Sequence, residues 1–132
     1  MEDLVSQAVH ARQNAYAPYS GYAVGCALRT AEGRVFVGAN VENVSYGATL
    51  CAERAALGAM ATQGDRSIVE IAVATVDGGS PCGICLQALS EFVEGEVPIR
   101  LIDGRGEVET TSFRALFPRK FSSTSVNRTE RA

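Results

Sequence analysis

Apolar residues first recur at a helical interval. Leu4, Val5, Ala8, Val9, Ala11 and Ala15 keep near-3.6 spacing until Pro18 breaks it, so residues 2–16 are expected to form an amphipathic helix. The period then changes. Residues 21–28 and 34–41 are rich in β-branched and aromatic side chains and flank a turn at Glu32-Gly33, which predicts an antiparallel hairpin. Residues 49–63 are alanine-rich, free of proline and closed by Gly64-Asp65, the pattern of a second helix. Residues 68–76 are too apolar and β-branched for a surface element and are expected as a buried central strand. After the loop DGGSPCG, residues 84–92 resume a helical pattern. Residues 97–102 and 108–111 predict a fourth and a fifth strand, and 112–116 a last helical turn ahead of Pro118. This alternation predicts an α/β sandwich with helices on both faces of one sheet. Residues 122–132 are polar and are expected as a loose tail.

A chain of 132 residues suits one domain, here expected over 1–132. With 46% hydrophobic and 20% charged residues it resembles neither a disordered chain, a collagen-like repeat nor a coiled coil. Its net charge of −3 offers no concentrated positive field for a polyphosphate backbone, which argues against a nucleic-acid partner. Acidic residues stand near the N-terminus where a secretory signal has bases, and no run of 18 apolar residues occurs. A soluble cytoplasmic protein without a membrane partner is therefore expected. In a reducing compartment Cys26, Cys51, Cys82 and Cys85 would not form a stable disulfide framework, and a close C-x-x-C pair suggests a metal or a redox role.

Two segments concentrate the chemistry: Cys51-Ala52-Glu53-Arg54 at the start of the second helix and Pro81-Cys82-Gly83-Ile84-Cys85 at the start of the third. Free N–H groups and the positive end of the helix dipole gather at such starts and favour thiolate over thiol. Cys82 and Cys85 have the spacing that lets a turn present two sulfurs to one ion, and Cys51 would be a third ligand from the neighbouring helix. Three protein ligands on tetrahedral zinc leave one position for water, as in catalytic sites. Taken alone, the C-x-x-C is also compatible with packed thiols or a redox pair, and Cys51 with a small buried hydrophobe. Thioredoxin-like pairs, however, follow the first strand of a βαβ unit, and this pair lies in the second half of the chain beside a third cysteine. Cys26, within a strand-like run, is expected to be a buried hydrophobe, and His10 stands isolated in the first helix.

The combination of Cys-Ala-Glu with a later Pro-Cys-x-x-Cys matches the zinc deaminase signature. Asn40-Val-Glu-Asn-Val-Ser-Tyr-Gly47, Cys51-Ala-Glu-Arg54 and Pro81-Cys-Gly-x-Cys85 more closely resemble the small three-cysteine cytidine deaminases. So do the leading Tyr16-Ala-Pro-Tyr-Ser-Gly-Tyr-Ala-Val-Gly25 and the trailing Leu116-Phe-Pro-x-x-Phe121. The likeness runs through nearly the whole chain in one order and spacing. It implies a three-layer α/β/α sandwich with one mixed, roughly five-stranded sheet, and one Zn²⁺ per chain on Cys51, Cys82 and Cys85. It further implies hydrolysis of cytidine and deoxycytidine to uridine and deoxyuridine with release of ammonia, a step of pyrimidine salvage. Such a reaction needs a nucleophilic oxygen at C4 and protons for ring N3 and the departing amine. Zinc-bound hydroxide would attack C4 while Glu53 shuttles the protons.

By the same resemblance Asn40 and Glu42 hold the ribose, Ala52 offers backbone groups to the pyrimidine, and Tyr22 faces the base. Three thiolates also need their charge offset, and Arg54, adjacent to Glu53, is expected to hydrogen-bond the cysteine sulfurs. Phe121 would reach the site of a neighbouring subunit in a homotetramer with shared active sites. Two departures stand out. Leu86 follows the last ligand cysteine where the family usually has arginine, which removes one compensating charge beside three thiolates. Tyr22 stands where phenylalanine is common. A deaminase of another small amine, such as blasticidin S, would share the fold. A non-catalytic structural-zinc module would instead need a fourth protein ligand.

Overall fold

A computed structural model describes residues 3–123. They form α1 (Leu4–Arg12), β1 (Gly25–Thr30), β2 (Val35–Ala39), a 3-10 turn (Tyr46–Ala48), α2 (Ala52–Thr62), β3 (Ile68–Ala74), α3 (Gly83–Ser90), β4 (Pro98–Ile102), β5 (Val108–Ser112) and α4 (Phe113–Leu116). The strands make one sheet in the order β2-β1-β3-β4-β5. β3 and β4 pair in parallel and the other neighbours antiparallel, so the sheet is mixed. A parallel pair needs a crossover, and α3 lies in the one that joins β3 to β4.

The two-residue period of the strands divides the core. Cys26, Leu28, Ile71, Val73, Ile99 and Leu101 join the cluster that includes Ala56 and Met60 of α2, Leu89 of α3 and Phe113 of α4. The intervening Ala27, Ala72, Ala74 and Ile102 meet Leu4 and Ala8 of α1 on the opposite face. Met60 is wholly buried, and burying such a side chain contributes about 1.5–3 kcal/mol. Two glycines let the helices approach. A Cβ on Gly38 would lie 2.5 Å from the Ala52 carbonyl oxygen and the Ala56 nitrogen of α2, and one on Gly25 would strike the Ala8 carbonyl and the Arg12 backbone of α1. The helix layers are thus seated on bare backbone at both faces of the hairpin.

The elements agree with the sequence pattern in kind and order, and differ at their ends. The first helix, expected over 2–16, starts after Asp3, whose carboxylate accepts the Ser6 N–H at 2.7 Å, and stops at Arg12. Beyond it Tyr16 is drawn to the other strand end: its N–H donates to the Asn40 carbonyl at 2.9 Å, and the Tyr16 carbonyl accepts the Glu42 N–H at 2.8 Å. The second helix, expected from 49, begins only at Ala52, because Leu50 exchanges both backbone hydrogen bonds with Val41. Most of the expected loose tail, 124–132, lies outside the described residues.

A buried acid ties the end of α2 to the hairpin. Asp65 accepts the Thr30 hydroxyl at 2.7 Å and the Arg34 Nε–H at 3.1 Å, with Arg34 Nη2 on its other oxygen. The Arg34 guanidinium first, then the Thr30 hydroxyl, hold its pKa below the usual aspartate range. A depressed folded-state pKa adds stability that is complete above the unfolded value, about 3.9, and disappears as pH falls through the lower folded value. Asp65→Asn is therefore expected to lower Tm at pH 7, and its deficit relative to the parent should shrink below pH about 4. Thermal melts followed by circular dichroism from pH 7 to pH 3 check this; a deficit independent of pH would count against it.

Candidate active site and metal centre

The residues singled out by their spacing come together at one end of the sheet. Cys51 immediately precedes α2 and Cys82 immediately precedes α3, both with extended backbone, while Glu53 and Cys85 lie in the first turns of the two helices. The sulfurs of Cys51, Cys82 and Cys85 all lie within 4.8 Å of one another. Cys85 is buried, Cys51 half-buried and Cys82 exposed, so the cluster opens toward solvent on the Cys82 side. Cys26 is buried in β1 and belongs to the core rather than to this cluster. Burial first, then the nearby Glu53 and Cys85 charges, push its thiol well up.

Electrostatics tests whether a cation fits. Partial burial works against the Cys82 thiolate, yet the backbone N–H groups of Cys85 and Ile84 and the neighbouring thiols outweigh it, and its pKa falls below the usual thiol range. Burial, followed by the Glu53 charge and the Cys51 sulfur, pushes Cys85 the opposite way. Three sulfurs so placed cannot all carry charge unaided. A soft-ligand dication such as Zn²⁺ would remove that conflict, and three thiolates at two helix starts are a donor set that suits it.

Arg54 supports the cluster from α2. Its Nη2 donates to the Cys51 sulfur at 3.5 Å, and hydrogen bonds to the Cys51 and Cys85 sulfurs make it hold its own proton more tightly. Its buried Nε–H lacks a hydrogen-bond partner among the described residues, so the guanidinium is kept there by the charge of the sulfurs it faces. Leu86 is 6% exposed within the core. Among the described residues, the guanidinium hydrogen-bonded to the cluster is thus Arg54 alone.

Glu53 is 5% exposed on the same cleft. Burial pushes its carboxyl above the usual carboxylate range against the pull of its own N–H, Cys85 and Arg54. The cleft has a volume of ≈ 270 Å³. Tyr22, Asn40, Glu42 and Ala52 line it together with the three cysteines and Glu53. Asn40 is committed on both ends of its amide: Nδ2 donates to the Tyr22 carbonyl at 2.8 Å and Oδ1 accepts the Val24 N–H at 2.9 Å. Glu42 accepts the N–H groups of Tyr19 and Ser20 at 2.9 and 3.1 Å and the Ser20 hydroxyl. Phe121 is not brought into the cleft: it is 63% exposed, and its carbonyl accepts Gln87 Nε2 at 2.9 Å.

Sequence pattern did not single out Ser20, Thr75 or Gly79, which also line the cleft. Thr75 offered one signal, a polar side chain just past the end of a largely apolar strand.

Comparison with known proteins agrees with this geometry. Residues 1–100 match the family described as the cytidine and deoxycytidylate deaminase zinc-binding region. The chain is 38% identical over 129 residues to a cytidine deaminase of Sporosarcina psychrophila, covering 96% of this chain and 95% of that one. It is 48% identical over 100 residues to a cytidine deaminase of Mycobacterium tuberculosis, covering 73% and 74% of the two chains. Its fold superposes on the crystal structure of a cytidine deaminase from Burkholderia pseudomallei with a TM-score of 0.83 at 42% identity, over 89% of this chain and 96% of that one. With three sulfurs gathered for one ion beside a buried carboxyl, and with this match over most of its length, the chain belongs to the cytidine and deoxycytidylate deaminase zinc-binding family.

Proposed function

We propose that the protein hydrolyses cytidine and deoxycytidine to uridine and deoxyuridine with release of ammonia, using Glu53 to move protons and Cys51, Cys82 and Cys85 to hold one zinc ion. The observation that carries this is the buried Glu53 carboxyl, its pKa raised by burial, on the same cleft as three sulfurs within 4.8 Å of one another. Zinc bound there supplies a Lewis acid that makes a water molecule easier to ionise. Glu53 takes the proton as the water oxygen bonds to C4 and gives it to ring N3. It then takes the remaining proton from the oxygen now on C4, as that C=O forms, and gives it to the amine as the C4–N4 bond breaks. A carboxyl whose pKa is raised by burial suits both halves of this task, since the shift brings it closer to the groups with which it exchanges the proton.

Asn40 and Glu42 are assigned to the sugar. Each retains hydrogen-bonding capacity: Asn40 has a second Nδ2–H, and three of about four acceptor positions on the Glu42 carboxylate are used. One donor on Asn40 and an acceptor position on each of the two side chains remain for a vicinal diol. Their commitments to the backbone hold them rigidly, which reduces the entropy cost of binding. Tyr22 supplies a ring face to the base, and Ala52, wholly buried at the start of α2, brings backbone to the cleft.

The assembly is a homotetramer with Phe121 completing a neighbour's site. Phe121, Tyr46 and Val44 are 63%, 77% and 78% exposed, an apolar outlay that a lone subunit gains nothing from. Residues 1–132 act as one domain, because the site draws on the hairpin, both helix starts and the loop between them. No described helix is long and apolar enough to cross a membrane, and a site of unpaired thiols suits the reducing cytoplasm.

Incubation with cytidine, followed by ultraviolet absorbance, ammonia release and zinc analysis, tests the reading. One uridine and one ammonia per cytidine consumed are expected, with one zinc per chain. Zinc without turnover of any nucleoside would favour a structural metal module instead.

A further inference from the structure

Tyr22 reaches the loop before Cys82 by a contact that a phenylalanine could not make. Its hydroxyl donates to Asp77 Oδ1 at 2.7 Å. The same oxygen accepts the Thr75 hydroxyl at 3.2 Å and the Gly79 N–H at 3.1 Å. Thr75 Oγ1 in turn accepts the N–H groups of Gly78 and Gly79 at 2.7 and 3.0 Å. Glycine at 79 leaves room for this contact, because a Cβ there would lie 2.8 Å from the tyrosine hydroxyl and push it aside. The turn from 75 to 79 is thereby closed on itself and fastened to Tyr22. Only Ser80 and Pro81 separate it from Cys82, and the proline has a fixed φ.

Tyr22 is also fastened behind. Its N–H donates to Ser20 Oγ at 3.0 Å, Ser20 bonds Glu42, and its carbonyl accepts Asn40 Nδ2. A continuous run of hydrogen bonds thus crosses the cleft, from the carboxylate assigned to the sugar to the wall formed by Gly79, Ser80 and Pro81. We propose that the Tyr22 hydroxyl and Asp77 are a positioning pair that holds this wall against the Tyr22 ring and thereby sets nucleoside affinity. This rests on the nucleoside reading of the cleft. The pair touches no reacting atom, so it acts on binding of substrate and transition state alike, and its loss appears in KM rather than kcat.

The test compares Tyr22→Phe, Asp77→Ala, Asp77→Asn and the Tyr22→Phe/Asp77→Ala double variant. Steady-state kinetics on cytidine and calorimetric binding of uridine are the readouts. Losing one hydrogen bond to a charged but exposed group should raise KM and the uridine Kd by roughly three- to tenfold in either Tyr22→Phe or Asp77→Ala. The double variant should be no worse than the singles, since both remove the same contact. Asp77→Asn keeps an acceptor oxygen and should restore most of the affinity. If Asp77→Ala does not fold, Tyr22→Phe and Asp77→Asn carry the comparison. Parent-like KM and Kd in Tyr22→Phe, or a double variant whose effect is the product of the singles, overturns the pair. A parent chain that deaminates no cytidine and binds no uridine overturns the nucleoside reading, and the pair's role with it.

Discussion

Glu53→Gln is expected to lower kcat for cytidine by about 10²–10⁴-fold, the range over which a positioned acid–base group contributes, while the protein retains one zinc per chain. The substitution keeps the shape of a side chain that is 5% exposed, so packing at the start of α2 is disturbed little. What it removes is the ability to hold a proton at one step and release it at the next. An amide can donate and accept hydrogen bonds but does not exchange a proton near neutral pH. Metal retention follows because the three sulfurs that lie together do not include Glu53. Glutamine also lacks the negative charge that helps push the Cys85 thiol up, and the easier formation of that thiolate offsets the lost attraction of a nearby carboxylate for the cation. Steady-state rates and metal analysis on the same preparation decide the matter: kcat equal to the parent's would remove Glu53 from the mechanism, and a lost metal would show that its role is structural.

The parts of this site that could be read from sequence are those whose partners are close along the chain. Cys51 and Glu53 are two residues apart, Cys82 and Cys85 three, and each pair occupies a single helix start. Local spacing therefore carries their geometry. The sheet was legible for the same reason, since alternation within β1 and β3 already separates the residues facing α2 and α3 from those facing α1.

What escaped was set by side chains that bond backbone far away. Residues 22–24 look like strand, yet β1 starts at Gly25, because Asn40 takes the Tyr22 carbonyl and the Val24 N–H. Residues 49 and 50 look like helix, yet Leu50 is drawn to Val41 and leaves Cys51 as the residue before α2. Neither outcome follows from propensity, which is a weak prior against specific tertiary hydrogen bonds. The Tyr22–Asp77 contact joins positions 55 residues apart, and no periodicity connects them. Leu86 was visible as a departure from the family pattern, but its burial was not: an arginine introduced there would have to leave the core before it could reach the sulfurs.

Cys85→Ser is expected to reduce zinc affinity by more than about 100-fold and to bring turnover to background, because even an outer partner of a metal ligand commonly contributes 10–100-fold and this change removes a ligand itself. Serine fits the space but offers a hydroxyl that does not ionise as a thiol does, and it sits where burial already opposes charge. The consequence extends to folding. A metal bound by the native protein and not by the unfolded chain stabilises the native state in proportion to its affinity. The parent's Tm should therefore drop when a chelator removes the metal, whereas the Cys85→Ser protein should melt at the same temperature with or without chelator. Cys26→Ala provides the contrast, since that buried cysteine belongs to the core cluster and not to the three sulfurs. It should lose packing stability yet keep one zinc per chain and a chelator-sensitive Tm. One zinc per chain surviving dialysis in Cys85→Ser would instead mean that Cys51 and Cys82 bind the ion with other groups. The proximity of the Cys85 sulfur would then reflect helix packing alone.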